Sequence, residues 1–200
     1  MAFSFFFRDL PILEAAAELF IHKSQGKRNL KVWVAGSAMG QEVYTLAIVL
    51  AERLGYFAFN NLQITATDIE KEFGDIITGG IYPGRDLERI PAELKKKYFE
   101  EKENDQFRIN PRLTDRIRFI HHDLLTFTNP GDNYGLIVCK NVLLHFKPEE
   151  RMKVYQAFFD CLDHEGVLAN ENTQKLPVEL NDCFKQVSPE FQIYTKVSRS

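Results

Sequence analysis

The sequence LKVWVAGSAMGQEVYTL, from Leu30 to Leu46, contains three patterns in succession. An apolar run at Val32–Ala35 is followed by the small-residue segment Gly36–Gly40, and apolar residues then recur at helical spacing. Strand, glycine turn and helix in this order are typical of the nucleotide-binding start of a doubly wound sheet. Glycines let backbone N–H groups approach a ligand, and the N-terminus of the next helix attracts negative charge. The spacing is Gly-x-x-x-Gly, so the pattern alone leaves a purely structural turn open.

Residues 62–68, with the sequence LQITATD, indicate a second strand that ends in a carboxylate. An acid at this place can accept hydrogen bonds from both hydroxyls of a ribose. A helix of four turns and a loop from Tyr56 to Asn61 account for the long interval between Gly40 and Asp68. Asp68 can also be a helix N-cap, because Ile69-Glu70-Lys71 follows it. Together, the glycine turn and Asp68 favour ribose binding.

Composition indicates one globular α/β domain. The chain has 200 residues, of which 44% are hydrophobic, and a net charge of −3. Its length suits one domain with a small insertion. The net charge indicates no general nucleic-acid surface, and no apolar stretch is long enough to span a membrane. The apolar start from Met1 to Arg8 lacks the basic region and cleavage site of a signal peptide.

The three cysteines, Cys139, Cys161 and Cys183, show neither metal-ligand spacing nor an even number for pairing. Burial in the core is the simpler interpretation of each. No metal site is therefore expected, and a reducing, cytoplasmic location fits.

The rest of the chain alternates between helical and strand patterns. Helices are predicted at about Leu10–Lys23 and Pro91–Glu100, from Pro148 to a glycine stop at Gly166, and near Glu179–Phe184. Further strands are predicted at Tyr134–Cys139, at residues 167–169 and at Phe191–Val197. This alternation predicts an α/β fold with a largely parallel sheet.

The segment from Phe107 to Phe119 predicts a small antiparallel lobe. Phe107–Ile109 and Arg116–Ile120 alternate apolar and polar residues, as half-buried strands do. The turn Asn110–Asp115 between them allows the two strands to pair. The chain is then expected to re-enter the main sheet and to place Asp123 near a carboxyl end.

An ordered set of short motifs resembles one enzyme family. These motifs are Phe6-Phe7-Arg8-Asp9, Val32-Trp33-Val34-Ala35-Gly36, Gly40-x-Glu42-x-Tyr44-Thr45-Leu46-Ala47, Ala66-Thr67-Asp68-Ile69, Gly80-Ile81-Tyr82, Tyr98-Phe99, Cys139-x-Asn141-Val142-Leu143 and Phe146. From about Ser4 to Lys196 the chain resembles the catalytic domain of the CheR-type chemotaxis protein methyltransferases. The resemblance does not include the family's N-terminal helical domain, because the sequence begins almost at the Phe-Phe-Arg motif.

The resemblance implies a class I methyltransferase fold. This fold has a Rossmann-like, mostly parallel sheet with an antiparallel C-terminal strand, helices on both faces and a small antiparallel β insertion. It implies a single domain over residues 1–200, with the insertion at about residues 100–118. S-adenosylmethionine is the implied methyl donor and S-adenosylhomocysteine the implied product. The implied reaction is methyl esterification of glutamate side chains on a chemoreceptor's helical signalling region.

The resemblance also implies site residues. The implied donor-binding residues are Arg8, Gly36, Ser37, Ala38, Gly40, Gln41, Glu42, Asp68, Ile69, Asp123, Leu124, Asn141 and Val142. The catalytic candidates are Arg8, whose charge can hold an acceptor carboxylate, and His145, which occupies the place of a tyrosine near the methyl site. Alternatives remain open for both, because Arg8 can instead pair with Asp9 or Glu14, and His145 can be structural.

Several residues depart from the family's usual pattern. Gln41 replaces an acid, Asp123-Leu124 replaces Asn-Leu, and Lys140 replaces the arginine of Cys-Arg-Asn. Glu171-Asn172-Thr173-Gln174 replaces a Gly-His-Ser-Glu segment. These changes leave a divergent donor-binding regulatory module with little turnover as an alternative. A dinucleotide oxidoreductase is a third interpretation, and the absence of Gly-x-Gly-x-x-Gly counts against it.

The expected partner is a protein substrate, either a chemoreceptor or another helical signalling protein, rather than nucleic acid or membrane. Family members that bind a receptor's C-terminal peptide carry a glycine-bearing loop near the β insertion. The corresponding stretch, Glu100–Gln106 (EEKENDQ), has no glycine and carries four acids. Acids repel a terminal carboxylate, so no tethering peptide is expected to bind.

Overall fold

The computed structural model describes residues 5–173 and 175–197. Its helices are α1 (Leu10–Lys23), α2 (Gln41–Asn60), α3 (Phe73–Gly79), α4 (Ala92–Tyr98), α5 (Pro111–Thr114) and α6 (Pro148–Cys161). Its strands are β1 (Leu30–Ala35), β2 (Leu62–Asp68), β3 (Ile81–Pro83), β4 (Phe99–Lys102), β5 (Gln106–Ile109), β6 (Ile117–His121), β7 (Tyr134–Cys139), β8 (Leu162–Asn170), β9 (Phe184–Gln186) and β10 (Ile193–Lys196). Short 3-10 helices lie at Gly84–Leu87, Leu124–Thr126, Leu143–His145 and Val178–Leu180.

The main sheet has seven strands in the order β6-β2-β1-β7-β8-β10-β9. The pairs from β6 to β8 are parallel, and β10 is antiparallel to both of its neighbours. The predicted class, a largely parallel sheet with an antiparallel C-terminal strand, is therefore confirmed. Strand order reverses between β1 and β7, and ligands of such sheets bind at the carboxyl ends of the strands beside this reversal.

The sheet is buried on both faces, which explains the uninterrupted apolar run in β1. Val32 and Val34 point into a core shared with α1 and α2. Trp33 points to the opposite face and packs against Phe158 of α6, with 5.1 Å between their ring centroids. Successive side chains of a strand alternate between faces, so both sets must be apolar when helices cover both faces.

The small second sheet has the order β3-β5-β4, and all its pairs are antiparallel. The prediction that Phe107–Ile109 pairs with Arg116–Ile120 is wrong, because β6 instead lies parallel to β2 in the main sheet. Between β5 and β6, Pro111 begins the single helical turn α5, and the Asn110 side chain accepts a hydrogen bond from Arg112 N at 2.9 Å. The strands of the insertion therefore come from residues 81–109 rather than from about 100–118.

Two helix boundaries differ from the predictions because of local backbone geometry. The predicted loop from Tyr56 to Asn61 is mostly helical, since the chain resumes its helix after an interruption at Gly55 (φ 73°, ψ 176°). The helix predicted for Pro91–Glu100 ends at Tyr98, because Phe99 is extended and begins β4. The helix predicted for Leu10–Lys23 is confirmed at both ends.

The C-terminal third contains two further corrections. Gly166 is not a helix stop, because α6 ends at Cys161 and Gly166 lies inside β8. A Cβ at Gly166 would approach Tyr134 O to 2.9 Å, so close strand packing explains this glycine. The helix predicted near Glu179–Phe184 is reduced to the 3-10 turn Val178–Leu180, and Phe184 begins β9.

The described residues also bear on the predictions from composition. Cys139, Cys161 and Cys183 are all buried free thiols, as predicted. Across residues 5–173 and 175–197, no helix is both long enough and apolar enough to cross a membrane.

Candidate active site

A cavity of about 610 Å³ opens at the carboxyl ends of β1, β2, β6 and β7. This is the reversal point of the sheet, and the volume is in the range of small-molecule sites. Most of the predicted site residues line it, namely Arg8, Gly36, Ser37, Ala38, Glu42, Asp68, Ile69, Asp123, Leu124, Asn141, Val142 and His145. The other lining residues are His122, Leu125, Lys140, Leu144 and Phe146.

Two predicted donor-binding residues, Gly40 and Gln41, do not line this cavity. Gly40 has a φ of 93°, and a Cβ there would lie 2.7 Å from Ile77 Cγ1 and 2.8 Å from Tyr82 Oη. Close packing against Ile77 and Tyr82, on the side of the turn away from the cavity, therefore requires a glycine at position 40. Gln41 is only 1% exposed and begins α2, so its side chain lies inside the protein rather than on the cavity wall.

The glycine turn is fastened to the end of β2. The N–H groups of Gly36 and Ser37 both donate to Thr67 O at 2.9 Å. Ala38 N donates to Asp68 Oδ2 at 2.8 Å, and Glu70 N donates to Asp68 Oδ1 at 3.1 Å. Because α3 begins only at Phe73, Asp68 is not a helix N-cap, and its carboxylate instead closes the turn beside the cavity.

Gly36 has a different neighbour from the one expected of a ligand-facing glycine. Its φ is 75°, and an added Cβ would lie 2.2 Å from Val142 Cγ2. A side chain at Gly36 would therefore meet the protein itself before any ligand in the cavity. The clash is with Val142, which itself lines the cavity.

Substitution of Gly36 is expected to destabilise the fold as well as the site. Gly36→Ala should lose about 1–2 kcal/mol from its positive φ and a further 1–3 kcal/mol from overpacking against Val142. Gly26→Ala is the matched control, because Gly26 has a φ of 80° and nothing within 4 Å of the added Cβ. Thermal unfolding measures both losses. Equal losses in the two variants would contradict the predicted contact with Val142.

The floor of the cavity contains a buried ammonium group between two carboxylates. The Lys140 side chain is 1% exposed, and its Nζ lies 2.9 Å from Asp9 Oδ2 and 3.1 Å from Glu42 Oε2. Burial raises the pKa of Glu42, and the nearby charge of Lys140 opposes that rise. Sequence reasoning noted Lys140 only as a replacement for arginine and missed its contact with Asp9, which is 131 residues away.

Arg8 reaches the cavity from the segment before α1. Phe6 is buried edge-on against Tyr82 and Phe99, with ring centroids 5.1 and 5.6 Å away. Phe7 N donates to Thr45 Oγ1 at 3.0 Å. The Arg8 side chain is 36% exposed, and its Nε lies 3.7 Å from Asp9 Oδ2. The geometry thus contains features of both interpretations, a cavity-lining guanidinium and a pairing with Asp9.

Glu14, the other acid considered for Arg8, forms a different pair. One of its carboxylate oxygens lies 3.0 Å from Arg53 Nη2. Arg53 belongs to α2, so this pair joins α1 to α2.

The opposite wall is formed by the segment after β7. Asn141 has a φ of 59°, and its N–H donates to Glu171 Oε2 at 3.1 Å. Glu171 is 4% exposed, and burial raises the pKa of its carboxyl group. Sequence reasoning did not assign Glu171 to the site, and its position directly after β8 was the available signal. His145 lies at the exposed rim, at the end of the turn Leu143–His145.

The end of β6 supplies the remaining polar groups. Asp123 Oδ1 accepts a hydrogen bond from Leu125 N at 2.8 Å. His122 is packed edge-on against Trp33, and its Nε2 lies 3.1 Å from Thr128 O. Burial lowers the pKa of His122, which favours the neutral form of the ring. His122 was not predicted as a site residue, although its place in the His-His-Asp sequence at a strand end was a usable signal.

A family model described as "CheR methyltransferase, SAM binding domain" matches residues 3–193 of the chain. The chain belongs to this family. The resemblance found in the sequence is thus confirmed, and S-adenosylmethionine is the cofactor of this domain.

The relatives of this CheR domain include named chemotaxis enzymes. The chemotaxis protein methyltransferase of Listeria innocua serovar 6a is 37% identical over 149 residues, which are 74% of this chain and 54% of the relative. Chemotaxis protein methyltransferase 1 of Vibrio cholerae is 29% identical over 187 residues, which are 90% of this chain and 67% of the relative. The chain therefore spans only about half the length of the Listeria protein.

The fold of the CheR domain also occurs in a methyltransferase structure from Geobacter sulfurreducens. The two are 12% identical with a TM-score of 0.53, and the match covers 92% of this chain and 80% of the other. At this identity the likeness concerns the fold alone, and it agrees with the predicted class I methyltransferase architecture.

Proposed function

We propose that this chain transfers a methyl group from S-adenosylmethionine to the side-chain carboxylate of a protein glutamate. One observation supports this best. A single cavity of a CheR SAM-binding domain is lined by the carboxylates of Glu42 and Asp68 and by the guanidinium of Arg8. Such a site has anionic groups for a cationic donor and a cation for an anionic acceptor.

The residues that line the cavity fit the parts of the donor. Asp68 is the last residue of β2, where a carboxylate can accept hydrogen bonds from both ribose hydroxyls. Each of its oxygens receives one N–H in the structure, so each retains a lone pair for a hydroxyl. Glu42 is a buried carboxylate at the start of α2 and suits an ammonium group. The remaining proposed donor contacts are Arg8, Gly36, Ser37, Ala38, Ile69, Asp123, Leu124, Asn141 and Val142.

The chemistry asks little of the protein beyond positioning. The donor supplies a methyl group already activated on a positively charged sulfur. A glutamate acceptor is ionised at neutral pH, so no general base is required. Arg8 can grip the acceptor carboxylate with its planar fork of N–H groups and orient one oxygen. His145 at the rim can donate a hydrogen bond to the same acceptor, and Leu144 and Phe146 supply apolar walls that limit access of water.

The proposed acceptor is a chemoreceptor or another helical signalling protein in the cytoplasm. The test is a calorimetric titration with S-adenosylhomocysteine, followed by transfer of labelled methyl to fragments of the host's receptor signalling regions. Label incorporated as a glutamyl ester is released as methanol in mild alkali, whereas N-methyl label is stable. Binding without transfer would show a donor-binding regulatory module, and neither binding nor transfer would contradict the proposal.

A receptor's C-terminal pentapeptide is not expected to bind to this chain. The edge strand β4 is followed by a turn through Asn104 and Asp105, both at positive φ. The exposed acids of this hairpin, including Glu101 and Glu103, would repel the free carboxylate of a peptide added as a strand. Calorimetry should give no binding in the micromolar range. A C-terminally amidated peptide is the control, and micromolar affinity of the free peptide would contradict the prediction.

A further inference from the structure

Four charged side chains of alternating sign form a continuous series across one side of the cavity. Arg8 Nε lies 3.7 Å from Asp9 Oδ2, and the same oxygen lies 2.9 Å from Lys140 Nζ. Lys140 Nζ in turn lies 3.1 Å from Glu42 Oε2. Arg8 and Glu42, the two ends of this series, both line the cavity, as does Lys140. The series therefore joins the proposed acceptor side of the site to the proposed donor side.

Lys140 is the most deeply buried member, and its burial needs compensation. Its side chain is 1% exposed, compared with 13% for Glu42 and 49% for Asp9. Removing an ammonium group from water costs several kcal/mol unless partners of opposite charge are held in good geometry. Two carboxylates in hydrogen-bonding range supply that compensation. Loss of Lys140 would leave the Glu42 carboxylate buried beside a second acid.

The N-terminal segment has a backbone conformation that needs support from its contacts. Phe7 and Asp9 both have positive φ, 61° and 50°, which costs energy for residues other than glycine. The segment is held by burial of Phe6 and by the hydrogen bond from Phe7 N to Thr45 Oγ1. Among the hydrogen bonds of the described residues, the Asp9–Lys140 contact ties this segment to the end of β7. Because Asp9 directly follows Arg8, this contact constrains the position of Arg8.

We propose that Lys140 is a positioning residue that holds Arg8 at the cavity through Asp9 and orients the Glu42 carboxylate for the donor's ammonium group. This inference rests on the proposed function. Lys140 need not contact a reacting atom, because its effect passes through Asp9 on one side and through Glu42 on the other.

The surroundings of Glu42 predict a pH signature for this role. The charged or titratable groups that face Glu42 are Lys140, Asp9, Arg8, Glu171 and Cys139. Burial raises the pKa of Glu42, and Lys140 is the largest influence that lowers it. Without Lys140 this pKa rises further, so a larger fraction of Glu42 is protonated at any given pH. A protonated Glu42 cannot pair with an ammonium group, and donor binding should therefore weaken most at low pH.

Two variants separate the two contacts. Lys140→Met keeps the length and packing of the side chain and removes its charge. Asp9→Asn removes the charge of Asp9 but tolerates its left-handed backbone conformation. Lys31→Met is the matched control, because Lys31 lies on β1 away from the cavity and pairs with Asp132.

Amide hydrogen exchange of the donor-free protein tests the contact between Lys140 and Asp9. Exchange in residues 5–9, which include the Phe7 amide, should be faster by about tenfold or more in Lys140→Met and in Asp9→Asn. It should be unchanged in Lys31→Met. Exchange rates equal to those of the parent in both Lys140→Met and Asp9→Asn would overturn the proposal that Lys140 holds Arg8 through Asp9. If Lys140→Met fails to fold, Asp9→Asn alone decides this point.

Titration with S-adenosylhomocysteine at about pH 6 and pH 8 tests the contact between Lys140 and Glu42. Lys140→Met should bind about tenfold or more weakly at pH 6, with a smaller deficit at pH 8. Asp9→Asn should show no such steepening with pH. A parent-like pH profile in Lys140→Met would overturn the role at Glu42. If the unaltered protein does not bind S-adenosylhomocysteine, the proposed function fails, while hydrogen exchange still decides the tie between Lys140 and Asp9.

Discussion

Replacing Arg8 with alanine is expected to reduce methyl transfer by about 10²-fold, the loss typical of removing one preorganised charged contact from an active site. Binding of S-adenosylhomocysteine should change far less than transfer, because Arg8 is only one of the proposed donor contacts and Asp68, Glu42 and the glycine turn remain. The physical reason is that the guanidinium lines the cavity with 36% of its side chain exposed, so a carboxylate can reach it. The two measurements are single-turnover transfer to a receptor fragment and calorimetric titration of the product.

Two further variants define what the Arg8 result means. Arg8→Lys should restore little transfer, because an ammonium group lacks the planar fork that grips both oxygens of a carboxylate. Arg85→Ala is the matched control, since Arg85 also pairs with the next residue, Asp86, but lies outside the cavity. If Arg8 serves only to anchor its segment through Asp9, Arg8→Ala will lower the melting temperature and leave the transfer rate of the folded protein intact.

Local patterns in the sequence predicted the main sheet well because its strands and helices are each encoded over a few residues. The apolar run of β1, the helical spacing after Gly40 and the acid at the end of β2 need no distant partner to be recognised. Antiparallel pairing in the insertion depends on partners instead. The alternation of Phe107–Ile109 and Arg116–Ile120 is real, but it does not say which strand lies beside which. Here Pro111 and the α5 turn separate the two.

In the candidate site too, features encoded by neighbouring residues could be predicted, and features that depend on distant contacts could not. Residues at or just beyond the end of a strand, such as Asp68 and Asn141, could be placed because parallel strands bring their carboxyl ends together. The position of Gly40 could not be predicted, since in the sequence a glycine required by packing against Tyr82 looks the same as a glycine required by a ligand. The pairing of Lys140 with Asp9 and that of Asn141 with Glu171 could not be predicted either. Each joins residues whose contact exists only after the sheet has formed.

Replacing Asp68 with alanine is expected to weaken binding of S-adenosylhomocysteine by about 1.5–3 kcal/mol, or roughly 10- to 150-fold in Kd. The carboxylate lies at the carboxyl end of β2 and lines the cavity, where it can accept hydrogen bonds from the ribose hydroxyls. Asp75→Ala, at an exposed aspartate in the first turn of α3, controls for the loss of an acid and should bind normally. Parent-like affinity in Asp68→Ala would rule out the ribose assignment.

Weaker binding of S-adenosylhomocysteine by Asp68→Ala can have two causes, and a ligand that lacks one ribose hydroxyl distinguishes them. Asp68 also accepts the N–H of Ala38, so its removal can loosen the glycine turn without any contact to ribose. The 2′-deoxyribose analogue of S-adenosylhomocysteine completes a double-mutant cycle between the side chain and the hydroxyl. If Asp68 binds the hydroxyl, the analogue should lose about 1 kcal/mol or more in the parent and much less in Asp68→Ala. Equal losses in both proteins would assign Asp68 to the turn alone, because two groups that do not interact contribute additively to the binding free energy.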